Sequence, residues 1–232
     1  MTSIHPFSLA RGGLALWVGL LLALATSLGH AQPASVPDAS PAERLLFLTP
    51  HLSALKPPLS LHYQFVRKEA SSGGFTDDVA LKLSAGGNGA CCAVTGSFLS
   101  GERAFRVPEI GDATANPVLL YFLEHEIRQL QRATKGQAAH FQKRIRLALV
   151  DAASVAPTTV QWQGRDVPAT AVRITPYVDD PYRVRFEREA AKAYTFVLSD
   201  AVPGQVFQIR TELADVEETL TLAAPPSSAP KK

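Results

Sequence analysis

Cys91 and Cys92 are the only cysteines in the chain, and they are adjacent. Two neighbouring thiols are a candidate redox pair. The Cα atoms of consecutive residues lie about 3.8 Å apart, which is shorter than the ~4.4–6.8 Å usual for a disulfide. Consecutive side chains of a strand also point to opposite faces. We therefore expect Cys92 to be a small core residue and Cys91 to lie near the opposite surface. A disulfide in a distorted turn is the alternative.

Metal binding is the second chemistry that the sequence raises. Beyond residue 31 the histidines are His51, His62, His125 and His140. His125 lies within Glu124-His125-Glu126, but consecutive side chains on a helix are about 100° apart and diverge. The H-E-x-x-H spacing is absent. The pattern favours four surface histidines, and we expect neither a metal nor another cofactor.

Recognisable catalytic motifs are also missing. No G-x-S-x-G elbow occurs, and no G-x-G-x-x-G opens a helix. Asp77 lies on the apolar register of its predicted strand, which we attribute to a strand end exposed at the sheet edge. A hydrolase whose residues are scattered beyond recognition stays an alternative.

Basic side chains cluster on a predicted helical hairpin and suggest a surface for a protein or lipid partner. They are Arg128, Arg132, Lys143, Arg144 and Arg146. Acidic residues interleave with them, including Glu124 and Glu126, so a solvated mixed-charge face is the competing interpretation.

The elements that position these residues begin with three strands. Apolar and polar residues alternate over 59–65, 75–83 and 92–98, with glycine-rich turns between the segments. This period of two predicts an antiparallel meander.

A helical hairpin follows between residues 117 and 153. Asn116-Pro117 is typical of a helix start, and Lys135-Gly136 ends the first helix, with glycine expected in the left-handed cap. Apolar residues at helical spacing form one stripe on each helix.

The remaining pattern predicts a β-hairpin over 158–174, a short charged helix from Asp180-Pro181 to Lys192, and a last hairpin formed by 194–198 and 207–213. The predicted fold is α+β: a curved antiparallel sheet, or partial barrel, covered by the helical hairpin and the short helix.

Residues 1–31 have the features of a secretory signal peptide. Arg11 precedes a 12-residue apolar run, 14–25, and Gly29-His30-Ala31 supplies a small-residue cleavage site. The run is short for a membrane span, which needs ~20 residues. We expect cleavage after Ala31 and a periplasmic or secreted protein without a transmembrane segment.

The expected organisation of the rest is a flexible leader at 32–42, one domain at 43–222 and a disordered tail at 223–232. The net charge of +2, from 23 basic and 21 acidic residues, excludes the strongly basic character typical of proteins that bind nucleic acids.

The strand Leu61-His62-Tyr63-Gln64-Phe65, the helical insert and the segment 164–176 resemble the LolA/LolB-like group of bacterial envelope proteins. The resemblance implies an incomplete antiparallel barrel, covered by helices, that carries lipoproteins or other lipids. It transfers no functional residue, and the compact helical hairpin and the cysteine pair depart from that group.

Together these observations predict a non-enzymatic periplasmic protein that binds an apolar ligand or a lipidated cargo. The alternative is an envelope assembly factor that uses the basic hairpin as its partner surface.

Overall fold

The computed structural model describes residues 38–71, 73–87 and 91–224. The predicted signal peptide lies outside these residues, as do residues 32–37 of the leader and 225–232 of the tail. Within the described ranges, no helix combines the length and the apolar character needed to cross a membrane.

The architecture is a nine-stranded open antiparallel sheet with helices, which confirms the predicted α+β fold class. The strands in spatial order are β4-β3-β2-β1-β9-β8-β7-β6-β5. Their bounds are β1 Leu59–Glu69, β2 Phe75–Ala85, β3 Cys92–Phe98, β4 Ile110–Ala113, β5 Ser154–Trp162, β6 Arg165–Ile174, β7 Ala193–Leu198, β8 Val206–Leu213 and β9 Val216–Leu222.

Two of the four described helices are long, and the other two are single short turns. Helix α1 spans Pro41–Glu43 and continues as a π-helical turn over Arg44–Leu48, α2 spans Val118–Thr134, α3 Ala138–Asp151 and α4 Glu187–Ala190. Single 3₁₀ turns lie at Gly101–Arg103 and Arg183–Arg185. The continuous charged helix expected from Asp180 to Lys192 is therefore wrong: the structure divides it into a 3₁₀ turn and the four-residue α4.

Strand β9 joins the two halves of the sheet, and the sequence did not predict it. It pairs with β1, where Tyr63 lies opposite Leu222, and with β8, where Ile209 lies opposite Leu220. The N-terminal meander and the C-terminal hairpins consequently form one sheet.

One face of the sheet carries the core. Alternate residues of β1, such as Tyr63 and Phe65, are fully buried, and their neighbours His62 and Gln64 are exposed. Helix α2 packs against β8, and α3 packs against β6. This division into a covered and a solvated face is typical of antiparallel sheets.

The start of α2 agrees with the sequence, and its end does not. The Val118 N–H donates to Asn116 Oδ1 at 3.1 Å, which is the predicted cap. At the other end Lys135, rather than Gly136, adopts the left-handed conformation, with φ of 57°. Gly136 is needed for space instead, because a Cβ there would stand 2.7 Å from Phe141 Cζ.

The described residues begin inside the predicted leader. Ser40 caps α1 and forms a reciprocal capping box with Glu43. Ala42 is 1% exposed, so the last part of the 32–42 leader belongs to the folded core.

Candidate functional site

A cavity of about 640 Å³ lies between α2, α3, the α1 segment and the loop after β3. Its size is within the ~300–1,000 Å³ of ordinary small-molecule sites. We call it the α2–α3 cavity. It is lined by Glu43, Phe47, Phe105, Arg106, Val107, Pro108, Ile110, Leu120, Tyr121, Leu123, Glu124, Ile127, Arg128, Gln142, Ile145, Arg146 and Leu149.

The floor of the cavity is apolar. Five aliphatic side chains of the lining are at most 7% exposed, and they come from the loop and the two helices: Val107, Leu123, Ile127, Ile145 and Leu149. Leu120, by contrast, is 53% exposed although it is a large apolar residue of the lining. An apolar surface of this kind, left partly open to solvent, is typical of a binding site.

The loop that forms one wall of the cavity is held to α2 by a short hydrogen bond. A glycine of β3 leaves the space that this contact needs. The Tyr121 hydroxyl donates to the Pro108 carbonyl oxygen at 2.6 Å. Gly96 on β3 makes room for this contact, because a Cβ there would stand 2.9 Å from Tyr121 Cε2 and 3.0 Å from Val107 Cγ2.

Phe105 lies between two side chains of α2. Its ring is stacked on the His125 ring with centroids 5.7 Å apart, and the Arg128 guanidinium lies 5.0 Å from its centroid. The Arg128 Nε also donates to Glu124 Oε1 at 2.9 Å. These contacts hold one edge of the cavity in place.

Two other guanidinium groups of the lining are unpaired. Arg106 and Arg146 are exposed, and neither forms a hydrogen bond or an ion pair with any residue that the structure describes. The Glu43 carboxylate accepts from the Ser40 N–H at 2.9 Å and is therefore held at the α1 cap. Two guanidinium groups of the cavity lining are thus without an ion-pair partner among the described residues.

The structure separates the five basic residues that the sequence grouped as a partner surface. Arg128 and Arg146 line the α2–α3 cavity, and Arg132 and Lys143 are exposed outside it. Arg144 is directed inward, since its Nε lies 3.4 Å from Asp180 Oδ2 and donates to the Pro176 carbonyl oxygen at 3.1 Å. Asp180 also binds His140 Nε2 at 2.7 Å.

Cys91 and Cys92 form a disulfide, so the expectation of two unlinked cysteines is wrong. Cys92 is fully buried, as predicted. Cys91 is partly buried and packs on the same core, with its sulfur 2.9 Å from the Leu52 carbonyl oxygen. A redox role for the cysteine pair stays a prediction.

The expectation of four surface histidines is wrong for two of them. His51 is 1% exposed; its Nε2 lies 2.7 Å from the Leu45 carbonyl oxygen, and its Nδ1 accepts from the Asn116 N–H. His125 is 7% exposed on the buried side of α2, where burial lowers its pKa to about 4.

His125 borders a buried charged cluster. It comprises Glu126 on α2, Glu218 on β9, Lys192 before β7 and Arg67 on β1. Lys192 Nζ pairs with Glu126, and the Arg67 guanidinium binds Glu218 Oε1. Gln129 Nε2 also donates to Glu218 Oε1 at 3.0 Å.

The two carboxyl groups of this cluster hold protons differently. Burial raises the pKa of Glu126 well above its ordinary value, and the nearby charge of Lys192 offsets only part of that effect. Burial alone would also raise the pKa of Glu218, but hydrogen bonding from Glu126, the Lys192 charge and the Gln129 amide lower it. Glu126 therefore favours its protonated form, and Glu218 favours its ionised form.

The ligand atoms of His125, Glu126 and Glu218 lie within 4.8 Å of one another, although we expected the first two to diverge. Lys192 lies beside the Glu126 carboxyl, and Arg67 lies beside the Glu218 carboxylate. The arrangement is accordingly a buried ion-pair network beneath α2.

Asp77 is also structural, but the edge explanation is wrong. It is 6% exposed, and its carboxylate accepts from the Asp78 N–H, the Ser100 N–H and Arg103 Nε. Burial alone would raise its pKa, but these donors lower the pKa to about 2.

No family model matches the chain, and no curated protein does. Two solved structures are similar at a low level. LprF from Mycobacterium bovis has 14% identity and a TM-score of 0.32, over 83% of this chain and 98% of its own. The Mycobacterium tuberculosis lipoprotein LppX has 11% identity and a TM-score of 0.32, over 71% and 84%. Similarity at this level assigns no function.

Proposed function

We propose that this chain is an exported, non-enzymatic protein that binds an apolar ligand or a lipidated cargo in the α2–α3 cavity. The observation that carries the proposal is the apolar floor of a 640 Å³ cavity that opens to solvent beside the exposed Leu120. Such concave apolar sites bind ligands mainly by removing apolar surface from water.

The wall of the cavity supports the same function. Its loop is held to α2 by the hydrogen bond from the Tyr121 hydroxyl to the Pro108 carbonyl oxygen, and both residues line the cavity. The cavity is thus preformed, and binding need not order the loop. Export rests on the signal-peptide pattern of residues 1–31.

Ligand binding is tested with the chain purified from its own envelope. Native mass spectrometry should show a co-purifying small molecule, and delipidated protein should take up the neutral fluorophore N-phenyl-1-naphthylamine. Empty protein in every preparation, together with no uptake of the fluorophore, would refute the proposal.

A further inference from the structure

We infer that the α2–α3 cavity is selective for amphiphiles with an anionic headgroup, a carboxylate or a phosphate, on an acyl or alkyl chain. This inference rests on the proposed function and specifies the ligand class of the same cavity. It starts from the two unpaired guanidinium groups at the opening, Arg106 and Arg146.

The charges of the lining are not balanced. It contains three guanidinium groups and two carboxylates, a net charge of +1. Glu124 is bound to Arg128, and Glu43 accepts from the Ser40 N–H. No carboxylate among the described residues forms an ion pair with Arg106 or Arg146, so both retain their hydrogen-bond donors for a ligand.

The two arginines come from different walls. Arg106 lies in the loop that follows β3, and Arg146 lies on α3 one position after the buried Ile145. Both line the cavity whose floor is apolar, so a ligand that contacts them also has apolar surface within reach. A planar guanidinium can donate two parallel hydrogen bonds to a carboxylate or a phosphate.

A neutral or cationic amphiphile would use only half of this site. Its chain would contact the floor, but its headgroup would leave the two cations without a counter-ion. An anionic headgroup satisfies both parts, and its contribution should weaken as salt screens the exposed charges.

The test compares ligands with one twelve-carbon chain and different headgroups. Dodecanoate, dodecyl phosphate, dodecanol and dodecyltrimethylammonium compete, below their micelle concentrations, with N-phenyl-1-naphthylamine bound to the full chain. We expect at least one of the two anions to bind about tenfold more tightly than dodecanol, since hydrogen bonds to charged groups are strong but these are partly solvated. Whichever anion binds more tightly identifies carboxylate or phosphate as the source of the headgroup.

Single variants locate the effect. Arg106→Gln and Arg146→Gln should each lower the affinity for the preferred anion about threefold or more and change that for dodecanol less than twofold. Arg132→Gln is the matched control, because it removes an exposed cation of α2 outside the cavity lining. All variants are compared at equal helical content.

The failures are distinguishable. Equal affinity for dodecanol and both anions, or an anion preference that survives the double variant Arg106→Gln/Arg146→Gln, would overturn the inference and leave apolar binding intact. If the fluorophore itself does not bind and no small molecule co-purifies with the chain, the inference and the proposed function both fail.

Discussion

Gly96 of β3 and Tyr121 of α2 are in such close contact that a single added carbon would not fit between them. A Cβ on Gly96 would stand 2.9 Å from Tyr121 Cε2. Because the hydroxyl of the same tyrosine holds the Pro108 carbonyl oxygen, this glycine sets the position of the cavity wall.

Gly96→Ala should therefore lower the free energy of unfolding by about 1–3 kcal/mol, the usual cost of overpacking a core. Denaturant unfolding measures it, and hydrogen exchange should show faster opening of the loop over 104–109. Gly111→Ala is the control, since nothing lies within 4 Å of a Cβ at Gly111. Equal stability of the two variants would show that the sheet and α2 move apart at no cost.

Asp77 predicts a specific acid sensitivity. Its folded pKa, about 2, lies below the ordinary 3.8, so its stabilisation is present above pH 3.8 and is lost as the pH falls through about 2. Asp77→Asn should cost about 1–3 kcal/mol at neutral pH, because it weakens the hydrogen bonds that the buried carboxylate accepts. The difference from wild type should shrink toward pH 2.

The neighbouring Asp78→Asn is the control for this effect, because Asp78 is exposed. It should change stability by less than about 0.5 kcal/mol. A deficit of Asp77→Asn that stays constant from neutral pH to pH 2 would contradict the assigned ion pair with Arg103.

The buried pair of Lys192 and Glu126 predicts strong coupling between two substitutions. Above the folded pKa of Glu126, about 8, Lys192→Met removes the cation next to a fully buried carboxylate and should cost about 3–5 kcal/mol. Adding Glu126→Gln should restore most of that loss, because the buried charge is removed as well. Lys143→Met, at an exposed position of α3, should be nearly neutral. Additive effects of the two substitutions would contradict the ion pair.

The same pair gives a pH dependence of opposite sign to that of Asp77. The folded pKa of Glu126 is raised, so the folded state binds its proton more tightly than the unfolded chain does. The contribution of Glu126 to the free energy of unfolding falls as the pH rises above its ordinary pKa of 4.5. Glu126→Gln should flatten the stability profile between pH 4.5 and about 8, as measured by urea unfolding. An unchanged slope would show that Glu126 is ionised throughout.

Local patterns predicted most of the elements, and long-range pairing accounts for what they missed. The alternation in β1 and the stripes of α2 and α3 are local signals that the structure confirms. In β9 the inward positions include Glu218, which interrupts the apolar alternation and hides the strand. The Arg67 guanidinium, 151 residues away in the sequence, donates to the Glu218 carboxylate and offsets the free-energy cost of burying it.

Local sequence patterns could not predict the cavity, because its lining also depends on contacts between distant segments. Its lining combines four segments, from Glu43 near the N-terminus to Leu149 at the end of α3. The basic pattern of the hairpin grouped Arg128 and Arg146 with three other residues as a partner surface, which stays a prediction. It could not separate them from Arg144, because the partner of Arg144 is Asp180, on a loop that no periodicity places.

Leu120 offers a direct test of the cavity, because its side chain lines it yet is 53% exposed and bears little on the core. Leu120→Trp should leave stability nearly unchanged and weaken N-phenyl-1-naphthylamine binding about tenfold, since the indole occupies space and apolar surface that the ligand would use. Val150→Trp on α3 is the matched control: Val150 is 43% exposed and lies outside the lining. Fluorescence titration of both variants decides the matter. If Val150→Trp weakens binding as much as Leu120→Trp does, the fluorophore binds an exposed helix face rather than the α2–α3 cavity.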